Sequence, residues 1–391
     1  MQILDGYRCS GCEREVPAGS RAGECPACAS PLLAVYDLGL VRKNVDRIAF
    51  FGDGPGVWRF RRLLPPFREE VSLGEGNTPM LHARRLGSAI GAPRLFIKDE
   101  SQNPTGSFKA RGMAVAVSRL RDLGLKRAYL PSAGNAGLAL AAYGAAAGID
   151  CTIFIPVETP PGVAEECRAY GARVEEVPGI LPDAARRMEA EPHLERAAVL
   201  STFREPCRVE GKKTIAFEIA AQCGRESPDW ILFPTGGGTG IVAIWKAYEE
   251  LESLGWLEGA KPRLAVVQST GCAPLVRAFR CGAECAEPFD NPVTVASGIR
   301  VPATRADRLI LRALRESGGA AVAVPDEEIM RAVGEIASSE GIFPSPEGAA
   351  AWAGCKALVS EGTIDPSSRI IVINTAGGAR YRFLLDAYRR A

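Results

Sequence analysis

The sequence predicts an α/β fold with open, largely parallel sheets, preceded by a small cysteine ribbon. Three observations carry that reading. From about residue 73 onward, apolar strands alternate with helical runs. Several of those strands lead directly into loops of small residues, as happens at the carboxyl edge of a buried parallel sheet. Two Cys-x-x-Cys pairs stand apart from this pattern near the N-terminus.

Those pairs, Cys9-x-x-Cys12 and Cys25-x-x-Cys28, are separated by twelve residues rich in Gly, Arg and Glu. Four thiolates at this spacing suit one tetrahedral zinc. Four sulfur ligands leave no open position for water, so the expected role is structural and not catalytic. Residues 1–34 are assigned to this zinc-ribbon-like element.

Downstream, strands are expected at Leu95–Lys98, Arg127–Pro131, Cys151–Pro156, Trp230–Pro234, Leu264–Gln268 and Ile370–Asn374. Helices are expected at Lys109–Leu123, Leu138–Ala147, Gly162–Tyr170, Ile241–Leu254 and Glu327–Glu340.

With 391 residues the chain is long enough for two domains, and 47% hydrophobic and 24% charged residues are ordinary for a globular protein. A net charge of +1 gives no electrostatic reason to expect nucleic acid or an anionic membrane as partner. No apolar stretch reaches the roughly 18 residues of a membrane span. Met1-Gln2-Ile3-Leu4-Asp5 has neither the basic start nor the apolar run of a signal peptide. The twelve cysteines are therefore expected to be thiols or metal ligands in a reducing cytoplasm. With only His82 and His193 present, a Ser/His/Asp triad or a multi-histidine metal site is disfavoured.

Four places combine chemistry with a strand end. In Asn103-Pro104-Thr105-Gly106-Ser107-Phe108-Lys109, a lysine meets the start of a helix, with Ser107 expected as its N-cap. The helix dipole there favours a neutral amine, the form that attacks an aldehyde. Ser132-Ala133-Gly134-Asn135-Ala136-Gly137 offers backbone donors for an anion and the amide of Asn135. Thr235-Gly236-Gly237-Gly238-Thr239-Gly240 follows a strand and opens a helix, which makes a phosphate cradle. It lacks the closing Gly-Lys-Ser/Thr of a nucleotide loop and the Gly-x-Gly-x-x-Gly spacing of a dinucleotide site, so a small phosphorylated ligand fits better. Thr375 follows Ile370–Asn374 and presents a hydroxyl at the same kind of edge. A lysine amine, an asparagine, a phosphate cradle and a hydroxyl together suit pyridoxal phosphate.

At these residues the chain resembles the threonine synthases, within the fold type II pyridoxal-phosphate enzymes that also include tryptophan synthase β and serine/threonine dehydratases. The resemblance runs from about residue 73 to 380. It rests on Leu73-Gly74-Glu75-Gly76-Asn77-Thr78-Pro79, on Lys98-Asp99-Glu100 before the Asn103–Lys109 run, and on Arg208-x-Glu210-Gly211-x-Lys213-Thr214. It implies a two-domain enzyme, a lyase, with a large cofactor-binding domain from 35–104 and 201–391 and a small mobile one from 105–200. It further implies Lys109 as the Schiff-base lysine, beside Phe108 in the cofactor site, and Asn135 at the pyridoxal 3′-oxygen. Gly236, Gly237, Gly238, Thr239 and Gly240 would hold the phosphate, and Thr375 would meet the ring nitrogen. Ser132, Ala133 and Arg208 would bind the amino-acid substrate. A homodimer is implied as well.

The chain departs from the family pattern at four points. Ala110 follows the lysine where aspartate is usual, and the Gly236–Gly240 cradle has no asparagine. Ser297-Gly298-Ile299-Arg300-Val301-Pro302 replaces an Ile-Arg-Ile-Gly-Asn-Pro run, and Ser201–Pro206 also lacks asparagines. A substrate phosphate would need cations of its own, for which Arg204, Arg208, Lys212, Lys213 and Arg300 are candidates. Two activities stay open on this sequence: threonine formation from O-phospho-L-homoserine, and β-elimination or β-replacement on serine or O-phosphoserine.

Overall fold

The structure is a computed structural model and describes residues 3–384 apart from positions 53, 55, 193 and 225, so His193 lies outside the described residues. The chain divides into two compact units. The first takes in Met1–Asn77 and Asn103–Glu218, the second Thr78–Gln102 and Ile219–Ala391.

In the first unit, strands Glu15–Pro17, Leu4–Cys9 and Leu32–Tyr36 form an antiparallel sheet in that order, which is the ribbon. A second sheet, all parallel, runs in the order Arg173–Val177, Asp150–Pro156, Arg127–Pro131, Ala198–Val199. Helices Lys109–Asp122 and Asn135–Ala147 pack on each other and share a core with the two middle strands. Small residues set how closely they pack. A Cβ on Gly144 would lie 2.2 Å from Cys151 Sγ, so only glycine lets Asn135–Ala147 sit this near its strand.

The second unit is a six-stranded sheet in the order Ala320–Val324, Arg263–Ser269, Trp230–Pro234, Ile370–Asn374, Leu95–Asp99, Met80–His82. All pairings are parallel except the last. The inner strands Trp230–Pro234 and Ile370–Asn374 are buried at every position, as a sheet covered on both faces requires. Trp352, on helix Pro346–Ser360, and Trp230 are the largest side chains of this core.

Strands Arg127–Pro131, Trp230–Pro234 and Ile370–Asn374 have the boundaries expected from sequence. The compact units are cut differently from the expected domains at 35–77 and 201–218, which pack with the first unit. The physical reason at 207–218 is a close crossing with helix Lys109–Asp122, described below. Among the described residues, no helix is long and apolar enough to cross a membrane.

Candidate active site

Lys109 follows an unusual turn. Pro104–Gly106 form one 3₁₀ turn in which Thr105 has φ 59° and Gly106 φ 68°. A β-branched residue in the left-handed region is strained, and such strain gathers at working sites. The expected Ser107 cap is not formed. Phe108 (φ −59°, ψ −12°) already has helical geometry and occupies the position before helix Lys109–Asp122, leaving Ser107 extended. Ser107 Oγ is buried without a hydrogen-bond partner. Lys109 is half-buried at the first helical position, with Nζ 4.5 Å from the centroid of the Phe108 ring.

Helix Cys207–Gln222 crosses that first turn at glycine contacts. A Cβ on Gly112 would lie 2.8 Å from Arg208 O, and one on Gly211 only 2.0 Å from Arg111 O. A fully buried ion pair locks the crossing: Arg111 Nη1 and Nη2 donate to Glu218 Oε1 and Oε2 at 2.7 and 2.8 Å. Glu218 also accepts the backbone N–H of Asn77, which ties the Leu73–Pro79 motif to the same point. The crossing brings Lys212 to the Lys109 turn, its Nζ 5.4 Å from the Phe108 centroid.

Within this unit the candidate phosphate cations separate. Lys213 pairs with Glu210 at 2.7 Å, both buried, and Arg204 pairs with Glu189 and Glu24. Arg208 and Lys212 are almost fully buried. Burial pushes the Arg208 guanidinium down to about 10, and burial and the neighbouring Arg208 and Lys109 charges hold Lys212 well below the usual lysine range.

Ser132 is buried and its hydroxyl accepts the backbone N–H of Gly137 at 2.8 Å and that of Gly134 at 3.3 Å. It therefore shapes the loop that opens helix Asn135–Ala147. Gly134 sits at φ 144°, and Asn135 is the first helical residue, half-exposed. The first-turn N–H groups, those of Asn135 and Ala136, have no acceptor within the helix ladder. Ala133 lies between the hydroxyl and these donors.

The second unit holds Gly236–Gly240 and Thr375. Strands Trp230–Pro234 and Ile370–Asn374 are parallel neighbours, paired Trp230 to Ile370, so their carboxyl ends leave the sheet on one edge. The glycines are required by space: added Cβ atoms would lie 2.8 Å from Val301 Cγ2 at Gly236, 2.1 Å from Ile310 Cδ1 at Gly238 and 2.2 Å from Phe233 Cζ at Gly240. Gly238 has φ 85° and precedes the 15-residue helix Thr239–Ser253, which has no side-chain cap. Thr304 Oγ1 donates to Gly237 O at 2.9 Å, which occupies that carbonyl. A backbone-lined cradle at an uncapped helix N-terminus fits a phosphate. Thr375 is 4% exposed, next to Asn374, whose amide donates to Asp99 Oδ1 at 2.8 Å.

The ribbon cysteines converge. All four sulfurs lie within 4.8 Å of one another, with Cys9–Cys28 at 3.4 Å and Cys12–Cys25 at 3.7 Å. Backbone N–H groups of Gly11 and Cys12 point at Cys9 Sγ, and that of Ala27 at Cys25 Sγ, each at 3.4 Å. Such donors favour thiolates, and the spacing fits one zinc bonded at roughly 2.3 Å to each sulfur.

Sequence reasoning missed the buried pairs Arg111–Glu218 and Arg119–Glu205. Their partners are separated by 107 and 86 positions, and no local pattern links them.

Residues 71–376 match the pyridoxal-phosphate dependent enzyme family. The threonine synthase of Methanosarcina acetivorans is 37% identical over 94% of this chain and 90% of its own length. That of Methanocaldococcus jannaschii is 37% identical over 95% and 92%. The threonine synthase of Mycobacterium tuberculosis is 34% identical over 79% and 83%. Among solved structures, a fungal L-serine ammonia-lyase from Rhizomucor miehei has a TM-score of 0.70 at 20% identity, covering 82% of this chain and 99% of that one. At this identity the likeness is one of fold.

Proposed function

The chain belongs to the pyridoxal-phosphate dependent enzymes, and we propose that within that family it is a threonine synthase, a lyase that converts O-phospho-L-homoserine and water to L-threonine and phosphate. The observation that carries the reading is the pair of buried cations, Arg208 and Lys212, on the helix that crosses the Lys109 turn. Such a pair suits a substrate that is itself phosphorylated, in addition to the phosphate of the cofactor. The curated relatives above, aligned over nearly the whole chain, carry the same activity in their names.

Bound pyridoxal phosphate would supply an aldehyde and an electron sink for charge developing at the substrate's Cα and Cβ. Lys109 is the amine for that aldehyde, and Gly236–Gly240 with Thr239 are the phosphate cradle. Asn135 serves the pyridoxal 3′-oxygen, with the Phe108 ring beside Lys109. Thr375 offers the ring nitrogen a hydroxyl where a carboxylate would hold it protonated, which tempers the sink and limits side reactions. Ser132 keeps the Ala133–Ala136 backbone in place as donors to the substrate carboxylate. Arg208 binds the substrate phosphate and steadies it as it leaves from Cγ. The Lys109 amine is the base that would take the Cα proton. A second proton leaves Cβ as the phosphate departs, a proton returned to Cγ makes the methyl group, water adds its hydroxyl at Cβ, and a proton returned to Cα completes threonine. The four ribbon cysteines hold a structural zinc, and the enzyme works in the cytoplasm as a homodimer.

The deciding experiment incubates the purified protein with O-phospho-L-homoserine and measures phosphate release together with the amino-acid product. Stoichiometric threonine supports the reading. Phosphate or ammonia released only from O-phosphoserine or serine would replace it with the elimination activity. Lys109→Ala should abolish turnover and leave no cofactor fixed to the chain by borohydride.

A further inference from the structure

The Ser201–Pro206 loop delivers one carboxylate, Glu205, which holds the Arg119 guanidinium and the Arg208 backbone at once. Glu205 Oε1 accepts from Arg119 Nη1 at 2.6 Å, and Oε2 accepts the backbone N–H of Arg208 at 3.0 Å. Arg119 is held from the other side by the ribbon. Its Nη2 donates to Ser20 O at 2.7 Å and to Ala22 O at 3.2 Å, both in the loop between the cysteine knuckles. Its guanidinium also sits 5.1 Å from the Tyr7 ring centroid. Arg208 points elsewhere: Nη1 donates to Leu200 O, and Nε has no hydrogen-bond partner. Arg119, Glu205 and Arg208 are 4%, 3% and 2% exposed, so solvent does little to screen these charges from one another.

We propose that Arg119 is a positioning residue for the substrate anion: by holding Glu205 to the ribbon side, it keeps that carboxylate from closing on the Arg208 guanidinium. The inference rests on the reading of Arg208 as a substrate-phosphate ligand. A buried carboxylate that loses its partner takes another cation, because staying unpaired is costly. Glu205 already holds the Arg208 backbone, so the Arg208 side chain is the cation it would capture. A captured Arg208 meets phosphate with its charge neutralised. The ribbon carbonyls complete the arrangement. They satisfy the far side of Arg119 and fix it over Glu205, which gives the N-terminal element a task in substrate binding besides its own fold.

The test uses the cofactor-loaded, full-length enzyme and two readouts: KM and kcat with O-phospho-L-homoserine, and the affinity for inorganic phosphate by calorimetry. Arg119→Met should weaken phosphate binding and raise KM by roughly ten- to a hundredfold, the range for withdrawing a charge-assisted hydrogen bond, with kcat and the cofactor absorbance retained. Glu205→Gln removes the competitor, so Arg119→Met/Glu205→Gln should regain wild-type affinity, and Glu205→Gln alone should bind phosphate at least as tightly as wild type. Unchanged affinity in Arg119→Met, or a double variant no better than the single, overturns the proposal. If Arg119→Met does not fold, weaker phosphate binding by Glu205→Gln overturns it instead. Arg208→Gln separates the two levels. If it leaves phosphate affinity intact, the role given to Arg208 fails and the inference with it. If it weakens binding while Arg119→Met does not, only the inference fails.

Discussion

Replacing Gly211 with alanine would force apart the two helices that carry Lys109 and Arg208. The new Cβ would lie 2.0 Å from Arg111 O, 2.7 Å from Arg111 C and 2.9 Å from Gly112 Cα. All three are backbone atoms, so no side-chain rotation relieves the clash. Ordinary contact begins at 3.4 Å, so the helices must separate by about 1.4 Å at the crossing. The same displacement would stretch the Arg111–Glu218 contacts from 2.7 and 2.8 Å to about 4.1 Å, beyond hydrogen bonding. Overpacking alone costs about 1–3 kcal/mol and a broken buried pair about 3–5 kcal/mol. Because the pair is stretched and not deleted, the expected loss is about 2–4 kcal/mol. Urea denaturation followed by circular dichroism measures it. In an Arg111→Met background the pair is already gone, so the glycine penalty should shrink by about 1 kcal/mol or more. A loss below about 0.5 kcal/mol, or strictly additive penalties, would refute the argument that the glycine exists to close this pair.

Gly238→Ala combines a φ of 85° with a Cβ 2.1 Å from Ile310 Cδ1, and should weaken uptake of pyridoxal phosphate by the apoprotein about tenfold, read by spectroscopic titration. Metal analysis should find one zinc per chain, lost in Cys12→Ser. Chelation should lower the thermal midpoint while leaving the visible absorbance of bound cofactor in place, since none of the four cysteines is among the residues proposed to hold the cofactor.

The strands that could be read from sequence were the interior ones. Leu95–Asp99, Arg127–Pro131, Asp150–Pro156, Trp230–Pro234, Arg263–Ser269 and Ile370–Asn374 are each flanked on both sides by other strands, and each carries an apolar stretch of three or more residues. Arg173–Val177, Ala198–Val199, Ala320–Val324 and Met80–His82 are the edges of the two parallel-stranded sheets, and none was expected. Arg173-Val-Glu-Glu-Val177 reads as polar because an edge strand tolerates charge, and Ala320-Ala-Val-Ala-Val324 is too rich in alanine to look like a strand. At the site, the loops at strand ends were legible because glycine runs have few other uses. The capping roles were not. Ser107 has the right residue type one position too early, whereas the Ser132 hydroxyl accepts the Gly137 backbone N–H at the start of helix Asn135–Ala147.

Lys212 and Lys213 show why the cations of the site could not be told apart by sequence, and they lead to a prediction about stability. Adjacent on a helix, they point about 100° apart. Lys213 reaches Glu210 and the Tyr36 ring, whereas Lys212 lies by Phe108 with Arg208 one turn before it. Like charges four residues apart disfavour a helix, and burial adds the cost of desolvation. Burial and Arg208 already hold Lys212 well below its usual range. On the proposed function, the Arg208–Lys212 pair would meet an anion that arrives with the substrate. Lys212→Met should therefore raise the denaturation midpoint of the anion-free enzyme, a gain on the order of 1 kcal/mol, as often follows when a buried charge is replaced by an apolar group of similar length. The same variant should lose part of the stabilisation that wild type gains from added phosphate. A Lys212→Met enzyme less stable than wild type without anions would mean that the lysine serves the fold, and the argument from buried charge to substrate would fall.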